Sequence, residues 1–153
     1  VLYSNAGATD KAIEFYEKAI EENPHDKHAY ANLGSTLLYK KPKQAKEYLQ
    51  KALNIDPEHD IALIELGKID KSEGNTVAAQ VKFRKAYDLY LKQWKTNSLP
   101  KYAYGWFATV AEELGENNFA KEIRASAPKT ESEAYYNKEN LSMTKTKALT
   151  NNN

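Results

Sequence analysis

The residues best suited to chemistry in this 153-residue chain are few. His25, His28 and His59 are the only histidines, and "HDKH" sets two of them three apart, a spacing that lets imidazoles share a metal. His25 falls in a turn, no third ligand is evident nearby, and there is no cysteine, so no metal is expected. His28, Glu65 and Lys68 are the candidates for acid–base work, and they are too few and too scattered in sequence to assemble a reaction; an enzyme is not expected. "GATDKA" and "GNTVAA" read as helix openings but lack the glycine-rich loop, Lys and hydroxyl that cradle phosphates, so no cofactor is expected. The acidic runs "IEENP", "EEL" and "ESE" read as solvated faces. Lys40, Lys41 and Lys43 make a small basic turn, either a solvated loop or a contact for a phosphate or an acidic peptide.

Bulk charge narrows the partners further. A net charge of +1 supplies no field to gather nucleic acid or an anionic membrane surface. No stretch approaches the roughly 18–20 apolar residues of a membrane span. The absence of cysteine fits a reducing compartment, and a cytoplasmic location is the expectation.

The elements that must position these residues are written as repeats. "KAIEENPHDKHAYANLG" (18–34) and "KALNIDPEHDIALIELG" (51–67) align without a gap. Leu33-Gly34 leads to Ala45, Leu49, Ala52 and Pro57, and Leu66-Gly67 leads to Gly74, Ala79, Phe83 and Ala86. Gly7, Ala12, Tyr16, Ala19 and Pro24 form the second half of an earlier copy; Tyr104, Phe107-Ala108, Gly115 and Ala120 form a later one. Tyr30, Leu33, Leu37 and Leu38, then Ala45, Leu49, Ala52 and Leu53, recur at helical steps, so each unit is two helices with one apolar stripe apiece. Gly34, Ala45 and Ala52 are small enough for the paired backbones to approach closely, and Pro24 and Pro57 stand where a helix has ended.

The pattern resembles the tetratricopeptide repeat family over about residues 1–128, with a Pro24-to-Pro57 spacing of 33 residues against the family's period of about 34. The missing residue falls in "KKPKQ". The resemblance implies an all-α, right-handed superhelical array of antiparallel helix pairs. Its expected divisions are a truncated repeat over 1–26, repeats over 27–59 and 60–100, and a variant repeat over 101–128. Residues 129–153 follow as a tail or capping helix, with Tyr135, Tyr136 and Leu141 as its contacts. Val1-Leu2-Tyr3 reads as the tail of a helix begun upstream, which suggests a fragment of a longer protein. Asp70 stands where an aromatic is expected. Gly115 follows Gly74 at a spacing of 41 residues, so "FRKAYDLYLKQWK" predicts a second helix lengthened by about two turns. "NSLP" ends it, with Ser98 and Pro100 placed to start the next.

The resemblance also implies work: a scaffold that binds a protein or peptide in a concave groove lined by the first helix of each pair. The matching positions are His28, Ala31, Asn32, Ser35 and Tyr39, then Ile61, Ile64, Glu65 and Lys68, then Tyr102, Gly105, Trp106 and Thr109. Tyr39, Tyr102 and Trp106 are the candidate anchors. The clamp by which some family members hold chaperone C-termini is not expected. Asn32 occupies one of its places, but Val1, Ile61 and Glu65 stand where Asn, Lys and Arg are needed, and sliding the frame by one repeat gives Ala31, Ser35, Glu65, Tyr102 and Trp106. The alternative is an accessory or regulatory docking domain of a larger enzyme or chaperone, without activity of its own.

Overall fold

A computed structural model describes residues 2–128, with side chains from Gly7 onward. Among the described residues every regular element is a helix: α1 (Leu2–Glu22), α2 (Lys27–Leu37), α3 (Pro42–Ile55), α4 (Asp60–Ser72), α5 (Thr76–Lys95), α6 (Ala103–Glu113) and α7 (Asn117–Ser126). Each helix packs on the next in the chain, the arrangement of an all-α repeat array.

The duplicated segment is a joint with its own local chemistry. In the first joint Asn23 Oδ1 accepts the backbone N–H of His25 at 3.1 Å; in the second, Asp56 Oδ1 accepts that of Glu58 at 2.9 Å. Both are Asx turns wrapped around a proline, a role the side-chain oxygens of Asn23 and Asp56 fill alike. Asp26 then caps α2, accepting the N–H groups of His28 and Ala29 at 2.9 and 3.0 Å. Lys27 Nζ reaches Asp56 at 2.6 Å and ties one joint to the next. That ammonium, with the Glu58 N–H, holds the Asp56 carboxyl below its ordinary value.

Packing within each pair depends on the small residues. A Cβ on Gly34 would sit 2.6 Å from Leu49 Cγ and 3.1 Å from the Ala45 carbonyl; one on Gly67 would sit 2.6 Å from Phe83 Cε1. The fourth copy has Ala108 at this place, fully buried. Gly74 (φ 83°) and Gly115 (φ 84°) follow α4 and α6 in the left-handed region that glycine occupies without strain.

α5 runs for 20 residues against 14 for α3, and its aromatic stripe turns inward. Phe83, Tyr87 and Tyr90 are buried, and with Trp94 they surround α6 and α7 through Phe107 and Phe119. Asp70, in the expected aromatic place, is also buried; Lys82 of α5 neutralises it.

Two local expectations are corrected. α1 runs unbroken from Leu2 through "GATDKA" to Glu22, so that stretch opens no helix. Gly7 costs a helix interior only about 1 kcal/mol, and without a proline or a left-handed residue nothing there forces a break. At "NSLP", Ser98 does not cap the next helix. Its hydroxyl turns back to the Gln93 carbonyl at 3.2 Å, Asn97 adopts φ 54°, and α6 starts only at Ala103, whose N–H meets the Pro100 carbonyl. The tail or capping helix expected over 129–153 lies outside the described residues.

Candidate functional site: the face of the first helices

The first helices α2, α4 and α6 approach one another in series with their backbones close, whereas α5 and α7 meet through long side chains, Tyr87 and Trp94 against Phe119. α2, α4 and α6 thus form one continuous side of the array.

On that side the candidate residues divide by environment. Tyr39 is 98% exposed and Tyr102 65% exposed, while Trp106 is half-buried. Lys68 joins two helices: its Nζ lies 3.5 Å from Glu65 Oε1 and 4.7 Å from the centre of the Trp106 ring, a cation–π contact between α4 and α6. Glu65 is buried, so the Lys68 contact partly compensates a carboxylate removed from water. Tyr39, Glu65 and Lys68 share one cavity of about 400 Å³ between the α2–α3 turn and the second half of α4. Leu38, Pro42 and Ile69 provide its apolar surface, and Lys43, Lys46 and Glu73 its charged remainder. Lys46 pairs with Glu73 at 2.6 Å.

Other candidates lie apart from this cluster. His28 is exposed and meets His59 rather than His25: His59 Nε2 and His28 Nδ1 are 3.1 Å apart. His59 is buried and caps α4, its Nδ1 accepting the Ala62 N–H at 3.4 Å. That role assigns the ring proton to Nε2, which donates to His28. Burial pushes the His59 imidazole below its ordinary value, against the opposing pull of Asp60. Tyr102 stands at the start of α6, where burial and the Asp60 carboxylate raise its phenol; Asp60 also accepts the buried Tyr90 hydroxyl at 2.8 Å. Asn32 and Ile61 are half-buried, and the Asn32 carbonyl accepts the Thr36 hydroxyl. Thr109 is half-buried, its hydroxyl donating back to the Gly105 carbonyl. Ser35 is half-buried and its Oγ is buried without a partner. Ala31 and Ile64, placed in the groove by the resemblance, are wholly in the core.

Sequence reasoning missed His59 as a cap and Lys46 and Ile69 as cavity residues. His59 had a usable signal, since it aligns with the Asp26 cap in the other joint. Among the described residues no three His, Cys, Asp or Glu side chains gather as metal ligands would, and no helix is long and apolar enough to cross a membrane.

Residues 1–26 and 28–59 match the model of the tetratricopeptide repeat family. The chain is similar to two solved structures. One, described as a crystal structure of MamA protein, has 23% identity and a TM-score of 0.49, covering 82% of this chain and 65% of that one. The other, described as a crystal structure of MamA, has 26% identity and a TM-score of 0.49, covering 78% and 67%. This chain thus spans less than two thirds of the first of these structures. No curated protein matches it.

Proposed function

We propose, from the match of residues 1–26 and 28–59 to the tetratricopeptide repeat model, that the array is a protein-interaction scaffold that binds a peptide or partner protein on the face of α2, α4 and α6. The observation that carries this reading is the set of aromatic side chains left in solvent there. Tyr39 and Tyr102 are exposed and Trp106 is half-covered by Lys68, although the chain buries Phe83, Phe107 and Tyr90 completely elsewhere. Large amphipathic rings on a face where helices converge are the usual anchors of an interface. Asn32 and Thr109 line the same helices and add polar groups for a peptide backbone. No catalytic role is proposed, because His28 is engaged with His59 and Glu65 with Lys68.

The test is affinity capture from a lysate with the parent chain and with Tyr102→Ala and Trp106→Ala, each checked for unchanged helical content by circular dichroism. Truncating an anchor costs about 2 kcal/mol or more, roughly thirtyfold in affinity, so the captured partner should be lost. Undiminished capture by both variants would remove the face of the first helices as the binding surface.

A further inference from the structure

The cavity between the α2–α3 turn and α4 has a charge balance that selects among peptides. Its two carboxylates are already engaged, Glu73 by Lys46 at 2.6 Å and Glu65 by Lys68 at 3.5 Å. Lys43 has no carboxylate within ion-pairing distance among the described residues, and Lys41, exposed two residues earlier on the same turn, has none either. Around this unbalanced positive charge lies apolar surface from Leu38, Pro42 and Ile69, with the Tyr39 ring standing free at the rim. The volume of about 400 Å³ admits a large side chain together with the backbone that carries it.

We infer that this cavity takes a linear acidic peptide, with a bulky aliphatic or aromatic residue on Leu38, Pro42 and Ile69 and a neighbouring Asp or Glu paired with Lys43. The inference rests on the interaction-scaffold reading and names the partner's chemistry. The apolar residue supplies affinity by leaving water. The carboxylate supplies direction and selectivity, because a Lys or Arg in its place would meet Lys43 and Lys41 as like charges. Glu65 and Glu73 do not repel the peptide strongly, since each already holds a lysine.

Selection of the full chain against a displayed library of random linear peptides tests this. Enriched peptides should pair a bulky apolar residue with Asp or Glu. A representative labelled peptide should lose on the order of tenfold in affinity to Lys43→Glu, and should bind more weakly as salt is raised. Tyr39→Ser should weaken it as well. Lys43 and Tyr39 are exposed, so both variants should keep the parent's circular dichroism. Enriched peptides without acidic residues, or affinities indifferent to Lys43→Glu and Tyr39→Ser, overturn the inference. If those peptides are instead lost to Tyr102→Ala, the scaffold reading stands and this cavity is not the site. An empty selection also overturns the cavity, with the scaffold reading then judged by lysate capture alone.

Discussion

His59 and the glycines show how a single position sets behaviour in this chain. His59 caps α4 only while its Nδ1 is unprotonated, and a proton there would face the positive N-terminus of a helix. The groups around it are Asp60 and Asp56, which favour the charged ring, and His28 and Lys27, which oppose it; burial dominates and lowers the folded value. The unfolded chain therefore binds the proton more readily. The stabilisation is fully present above the unfolded value of about 6.5 and is lost as pH falls from there through the lower folded value. The midpoint of urea unfolding should drop between neutral pH and pH ~5 in the parent and drop less in His59→Asn, which can cap without titrating. Equal slopes in the two would remove His59 as the cause. The glycines make a sharper contrast. Gly34→Ala and Gly67→Ala push a methyl group into Leu49 and Phe83 and should cost about 1–3 kcal/mol, whereas Gly105→Ala, with nothing within 4 Å, should stabilise α6 by up to about 1 kcal/mol. Chemical denaturation of the three variants reads both signs.

Between α5 and its neighbours the decisive quantity is how the long helix spends its added turns. Tyr87, Tyr90, Trp94 and Phe119 place their rings 5.5, 5.8, 6.5 and 5.7 Å from that of Phe107, so one residue of α6 is gripped by aromatics from two other helices. Phe107→Ala should destabilise by about 3–5 kcal/mol, visible as a shifted unfolding midpoint. Trp94 is only half-buried, and Trp94→Ala should cost clearly less; a reversed order would mean that the end of α5, not its contact with α6, organises this core. The stripe on α5 is legible as a period in its own sequence. Its inward direction is not, because the receiving rings lie in helices far along the chain.

Across the whole molecule the apolar clusters are unequal. The cluster reaching from α4 to α7 is the largest, while two smaller ones serve α1 to α4. Among the described helices α1 lies close to α2 and to no other, with Phe15 68% exposed, whereas α4 touches α2, α3, α5 and α6. In a repeat array each unit is stabilised mainly by its neighbours, so opening should begin at the least covered helix. Amide exchange of the full chain should be fastest among the helices in α1 and slowest in α4 and α5. Uniform protection would instead indicate one cooperative unit.

What the amino-acid order determined by itself is the repeat: the Asx-proline joints, the small residues between paired helices and the apolar stripes are local or periodic, and local chemistry recurs wherever the same residues recur. The candidate face was legible as positions, not as a site. Tyr39 lies far along the chain from Glu65 and Lys68, His28 stands three residues from His25 but meets His59, and Ala31 and Ile64 share the spacing of outward neighbours but are buried by packing. Only tertiary structure decided those matters, because exposure and charge pairing depend on which helix arrives from elsewhere. Lys43 carries the clearest instance: its sequence neighbours show a basic turn, but only the folded array pairs Lys46 and Lys68 with carboxylates and, among the described residues, leaves Lys43 without one.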